Sequence, residues 1–373
     1  MSMLELLTNK RIKHLNHRRT GWIGVDIGSG AIKIAQVEQT AGRYRLARSV
    51  IVRAPEGIPF DRAAIEDGRV AEEIRNAIHL HDGFIGKSAA CVVSMSQCEL
   101  RTLISAKGTE DEQRELISLE LQQDSAHTAE AREFDFWDGA TEQQNDVKGM
   151  TQVHVMSLPR SLADGIGTAL LESRLQCELL DTVPFCAMRA LEIDGTSVTP
   201  ETEFFPIQAI LDWGYSAATL VILRNDQPVL ARCLRDCGTS VLLARIAQRL
   251  KLTRSQTDAL LMNYGIKRQQ NNGEQTSELR DLILELAASL LHDLTSELLQ
   301  TFDFLKMQFS SQQLQRLIIS GGGGAIPGMC EQLEATLRLP VRPWQLPLRS
   351  SDADQPEPIL ASAAALSALA WEL

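Results

Sequence analysis

The 373-residue chain reads as an α/β protein of two related halves facing a cleft, with a small α+β insertion in the first half. Three observations predict this. An apolar strand ending in aspartate, a glycine-bearing turn and a second apolar strand occur twice, as GWIGVDIGSGAIKIAQV (21–37) and IQAILDWGYSAATLVIL (207–223). The two units stand about half a chain length apart, and each leads into a third strand and a helix, the mark of an internal repeat. A late apolar strand also runs into glycines, as IISGGGG (318–324).

Composition narrows the function classes. Hydrophobic residues at 44% and charged residues at 23% are those of a globular protein and exclude a disordered chain. The 48 acidic against 37 basic residues give a net charge of −11, which argues against a nucleic-acid binder, because phosphate neutralisation needs a basic face. No run approaches the ~20 apolar residues that a spanning helix needs. The seven cysteines form no CxxC pair, and their odd number fits reduced thiols better than a disulfide framework. With no apolar signal core at the start, the expectation is a cytoplasmic protein.

The leader (1–20) departs from the acidic whole, carrying Lys10, Arg11, Lys13, Arg18 and Arg19 against Glu5. With Leu4, Leu6, Leu7, Ile12 and Leu15 it reads either as a solvated tail, the default, or as a weak anchor on anionic lipid.

After the first hairpin come a strand at 43–52 and a helix at 62–80, with Ile65, Val70, Ile74 and Ile78 on one face. Residues 89–176 read as the insertion: strands at 90–95 and 100–105, a helix at 110–123, a polar loop at 139–149, a strand at 152–158 and a helix after Pro159. The second hairpin is followed by a strand at 228–234 and a helix at 240–250. A capping box, Thr253 with Gln256, opens a helix ending near Gly265, and residues 271–273 break the chain. A long helix at 277–309 repeats Leu279, Leu282, Leu286, Leu290, Leu294, Leu298, Phe302, Leu305 and Phe309 every three or four residues. Its length would be about 50 Å. A core helix with one buried face is favoured over a coiled-coil seam, because it lies inside a folded half. A strand at 316–319, the glycine run, a helix from 326, a proline-rich loop at 340–358 and an Ala-rich packing helix at 359–371 complete the chain.

The chemistry is expected at three turns, DIGSG (26–30), DWGYS (212–216) and SGGGG (320–324). Glycine lets backbone N–H groups approach a phosphate without a Cβ in the way. An aspartate at a strand end, Asp26 and Asp212, suits Mg²⁺ held through water. One such turn is weak evidence; three in this order, two in duplicated units, carry the reading. No GxxxxGK[ST] loop is present, and the first turn leads into a strand, which rules out the dinucleotide fingerprint.

DIGSGAIKI, DWGYSAATL and SGGGGAIPG together resemble the phosphate-1, phosphate-2 and adenosine motifs of the actin/Hsp70/FtsA superfamily, whose duplicated domains are ribonuclease H-like. More narrowly, DIGS with Lys33, LDTVPFCAMRAL (180–191), the stretch 246–265 and Leu339-Pro340-Val341 resemble the PilM family of type IV pilus assembly. The resemblance implies subdomain 1A at 21–88 with 177–204, subdomain 1C at 89–176, subdomain 2A at 205–245 with 316–373, and helical subdomain 2B at 246–315. It implies ATP with Mg²⁺, bound by Asp26, Gly28, Ser29, Gly30, Lys33, Asp212, Gly214, Ser216, Gly321, Gly322, Gly323 and Gly324. The implied partner is the cytoplasmic N-terminal peptide of a PilN-like inner-membrane protein, docked in a groove between the first subdomain and the insertion. Further contacts with a pilus-assembly ATPase and recruitment to the inner membrane follow from the same resemblance.

The pattern also departs from the superfamily. Val183 stands before Pro184 where relatives usually carry Glu or Gln, Ala217 replaces a frequent hydroxyl and leaves Ser216 as the nearest one, and Trp213 fills a small aliphatic position. Nucleotide binding survives these changes more easily than hydrolysis, so no catalytic residue is assigned. Asp181 shares a strand face with Val183 if the strand continues that far, and would then be the substitute. The alternatives are an FtsA-like cell-division protein, which the absence of a basic amphipathic C-terminal helix disfavours, and an active ATPase or kinase.

Overall fold

The computed structural model describes residues 19–124, 130–139, 149–194, 207–266, 274–309, 314–348 and 357–372. The first hairpin builds a six-stranded sheet from β1 (Arg19–Thr20), β2 (Ile23–Gly28), β3 (Ala31–Thr40), β4 (Arg43–Arg53), β5 (Ser88–Val93) and β9 (Gln176–Thr182). β2, β3 and β4 pair antiparallel in sequence order, and β5 and β9 add in parallel beside β2. Ile23, Val25, Ile27, Ile32 and Ile34 bury one face under α1 (Arg62–Glu66), α2 (Arg69–Leu80) and α4 (Arg160–Glu172). The helix expected at 62–80 is thus two. Gly68, at φ +82°, breaks it where a side chain would be strained, and the Asp61 carboxylate caps α1 at the Ala64 N–H, 3.0 Å away.

Strand β5 corrects the expected insertion. Its run SAACVV is buried almost throughout, as in a strand covered on both faces, and it belongs to the first sheet. Helix α4 likewise buries Leu162, Ile166, Ala169 and Leu170 in the first core. The separate small sheet is β6 (Glu99–Ala106), β8 (Met150–Pro159) and β7 (Arg132–Asp138), in that order. Ile117 and Leu121 of α3 (Glu110–Asp124) close one of its faces over Val153 and Val155.

The second sheet runs β12 (Gln227–Leu234), β11 (Ala218–Arg224), β10 (Ile207–Trp213), β13 (Leu314–Ser320) and β14 (Val341–Pro343). This is the order β4-β3-β2-β5-β9 of the first sheet repeated, so the duplication read from the hairpins extends to all five strands. Against it pack α6 (Thr239–Leu250), α7 (Arg254–Tyr264), opened by the Thr253–Gln256 capping box, and α8 (Glu274–Gln308). The glycine run forms the single turn α9 (Gly321–Gly324), and α10 (Met329–Leu337) packs against the same sheet. One face of α8, with Leu290, Leu294, Leu298, Phe302 and Leu305, is buried in this core. Most of the leader, most of the 139–149 loop and the 271–273 break lie outside the described residues.

Two helices cross between the halves. α5 (Val183–Ile193) and α11 (Ala361–Ala368) share one core with Ala35, Val37 and Val92 of the first sheet and Ile210, Val221 and Ile318 of the second. α11 was expected with the second half, yet it lies on β2 and β3. Small residues make this contact. A Cβ at Gly24 would stand 1.9 Å from the Ala363 carbonyl, and Ser367 Oγ donates to the Trp22 carbonyl (2.6 Å) while accepting from the Val37 N–H (2.9 Å).

Candidate functional site

Hairpin register places the first charges. Ser29 and Gly30 form a two-residue turn between Gly28 and Ala31, which sets Asp26 directly opposite Lys33, and the side chains join at 2.8 Å. In the second hairpin the same logic sets Asp212 opposite Thr219. Ser320, at the end of β13, offers its hydroxyl to Asp212 Oδ1 at 3.4 Å. Burial works against the Lys33 ammonium, but Asp26 and Asp212 outweigh it and hold its pKa above the ordinary lysine value. Burial and then the Asp26 charge push Asp212 up to about 6, against the pull of Lys33.

This shift has a measurable consequence. The folded chain binds more protons than the unfolded one between about pH 4 and pH 6, so this group's contribution to stability falls as pH rises through that window and is flat above it. Asp212→Asn removes the effect. With a chelator present, the variant's melting temperature should gain on the parent's from about pH 4 to pH 6 and hold that gain at higher pH. A gap that does not change with pH would contradict it.

The two turns touch. Ser29 Oγ donates to Ser216 Oγ at 2.9 Å, and the Tyr215 ring lies so close to Gly30 that a Cβ there would meet it at 2.5 Å. From α7, Arg254 donates to the Gly30 carbonyl at 3.1 Å and covers the Tyr215 ring at 4.3 Å. Arg53 of β4 pairs with Asp258 of α7 at 3.0 Å.

Of the expected site residues, Asp26, Gly28, Ser29, Gly30, Lys33, Asp212, Gly214, Ser216 and Gly322 line one cleft between the halves. Gly321, Gly323 and Gly324 do not; their missing side chains answer to packing. Gly321 has φ +76° and leaves room for the Trp213 carbonyl and Asp212, Gly323 lies against the Trp213 ring, and Gly324 lies against the Ile319 carbonyl. Trp213 is fully buried, its Nε1 donating to the Cys237 carbonyl at 2.7 Å, so the departure at this position is matched by a glycine just after β13, the strand paired beside β10.

The sequence reading missed Arg53, Ser94, Thr219, Thr239, Arg254 and Asp258, which also line the cleft. Thr219, opposite Asp212 in the second hairpin, adds a hydroxyl-bearing residue to the cleft beside Ser216, and counting the hairpin register would have found it. Nothing local marks Arg53 or Arg254, because each reaches the cleft from an element beside the motifs. Leu243, Leu261, Met262 and Ile326 give the cleft an apolar wall on the α6–α7 side. Val183 lines the cleft at the first residue of α5, while Asp181 does not. Strand β9 ends at Thr182, so the two share no strand face. Asp181 is buried and bonded to Arg189 at 2.7 Å.

The oxygen donors around Asp26 and Asp212 suit a hard cation that keeps its water shell. Among the described residues no cluster of three or more His, Cys, Asp or Glu forms a protein-only metal cage. Mg²⁺ fits here as an ion brought with phosphate oxygens.

A family model for the type IV pilus assembly protein PilM matches residues 24–346. The solved structure of a PilM–PilN type IV pilus biogenesis complex is similar with TM-score 0.74 and 20% identity, covering 94% of this chain and 98% of that chain. The ethanolamine utilization protein EutJ from Carboxydothermus hydrogenoformans is similar with TM-score 0.52 and 14% identity, covering 98% of this chain and 96% of that one. At these identities the likeness is one of fold, and the fold is the α/β actin-like one. No curated protein matches the sequence. Among the described residues, no helix is long and apolar enough to cross a membrane.

Proposed function

The chain belongs to the PilM family of type IV pilus assembly proteins, and from that premise we propose that it is an ATP-binding scaffold whose nucleotide joins its two halves. One observation carries the reading. Asp26 and Lys33 from the first half meet Asp212 from the second between two touching glycine turns, so a polyphosphate with Mg²⁺ would engage both halves at once. The turns supply backbone N–H groups, Lys33 a cation, the aspartates hold the hydrated metal, and the apolar wall by Leu261 and Ile326 receives the base.

The scaffold docks onto the cytoplasmic N-terminal peptide of a PilN-like inner-membrane protein and is recruited to the membrane by it. The PilM–PilN complex of similar fold supports this, and the insertion is the docking element. Strand register offers a clean test. Glu99 pairs with Ser157 across β6 and β8, so residues 99–157 can be excised and the neighbouring ends joined by Gly-Gly. The excised protein should keep the cooperative melting of the two large sheets and lose capture of an immobilised PilN N-terminal peptide. Undiminished capture would place the docking site elsewhere.

A further inference from the structure

Among the described residues three cations line the cleft, and their partners differ. Lys33 is held by Asp26 at 2.8 Å and Arg53 by Asp258 at 3.0 Å. Arg254 has no carboxylate at ion-pair distance among the described residues. Its hydrogen bond goes to a backbone carbonyl, that of Gly30, and its Nε is buried with no partner. A guanidinium has five N–H donors, and leaving one buried and unmade is costly. The Tyr215 ring beneath it holds the charge in place without neutralising it. The group therefore stands at the junction of both glycine turns as a partly buried, forked cation with a donor to spare, the chemistry that matches phosphate oxygens.

We propose that Arg254 is a phosphate-chain ligand of the cleft, exchanging the Gly30 carbonyl for phosphate oxygens and so drawing α7 onto the bound nucleotide. This rests on the nucleotide reading given above. Lys33, its charge already balanced by Asp26 and Asp212, stands beside the metal-holding aspartates; Arg254 grips the phosphate chain from the opposite half.

Calorimetric titration of the parent, Arg254→Ala and Arg254→Lys with adenosine, AMP, ADP and ATP, each with Mg²⁺, tests it. Arg254→Ala should bind ATP about 10- to 100-fold more weakly and adenosine within about twofold of the parent. Arg254→Lys, which keeps the charge and loses the fork, should fall between them for ATP. Melting curves without nucleotide show which variants are folded, and Arg254→Lys carries the test if Arg254→Ala is not. ATP affinity that no folded variant changes, or adenosine affinity lost as much as ATP affinity, overturns the assignment and leaves the nucleotide reading intact. A parent that binds ATP no better than adenosine overturns both.

Discussion

Asp212→Lys is expected to abolish binding of ATP·Mg²⁺ while leaving the protein folded. The substitution puts a second ammonium beside Lys33, which Asp212 now helps to hold charged, and removes one of two carboxylates facing the metal position. The like charges cost the fold up to about 3–5 kcal/mol before any ligand arrives; the loss of binding comes from the cation standing where the metal would sit, and should be at least about 10²-fold in affinity. The fold should survive, because Asp212 contributes a single long bond from Ser320 and its strand is paired on both sides by backbone ladders. Asp212→Asn separates the two causes: it removes the metal's charge partner without adding a cation, and should weaken binding less. Titration calorimetry with circular dichroism of the same samples decides it. Affinity equal to the parent's in a folded Asp212→Lys would mean that the nucleotide binds elsewhere.

The hairpins were legible because a strand-turn-strand unit is local: two apolar runs, glycine at the turn and aspartate at the strand end all lie within 17 residues. The five-strand repeat was half legible. The parallel additions β5 and β9 arrive from distant segments, and an all-apolar run such as SAACVV does not state which sheet it enters. The same limit hid the destination of α11. Its alanines predict close packing, but only the gap above Gly21 and Gly24 shows that the first sheet receives it. At the site, the glycine run misled in an instructive way. Glycine is demanded equally by a phosphate and by a tryptophan ring, and Gly323 answers to the ring of Trp213. The arginines were illegible because their role comes from the closing of one half on the other, with Arg53 reaching Asp258 and Arg254 reaching Gly30.

Turnover of ATP is expected to be negligible in the parent and to rise in Val183→Glu. Catalysis of phosphoryl transfer to water is mainly positioning and electrostatics, so it needs a polar group to hold the attacking water in line. Val183 faces the cleft from the first residue of α5 and offers no hydrogen bond. A carboxylate there would sit in the first helical turn, where negative charge is favoured, and help of this kind is worth about 10²–10⁴ in rate. Asp181 is no substitute. It is the last residue but one of β9, does not line the cleft, accepts from the Thr182 N–H at 2.7 Å and is bound by Arg189, which Glu372 holds from the other side. Burial raises its pKa despite that arginine, so freeing it to orient water would break a buried pair. Asp181→Asn should therefore lower stability, by up to about 3–5 kcal/mol, and leave phosphate release unchanged. Steady-state phosphate release and melting temperature, measured on parent and both variants, keep the two effects apart. A brisk parent rate that collapses in a still-folded Asp181→Asn would make the protein a working ATPase, with the ion pair of Asp181 and Arg189 opening during turnover.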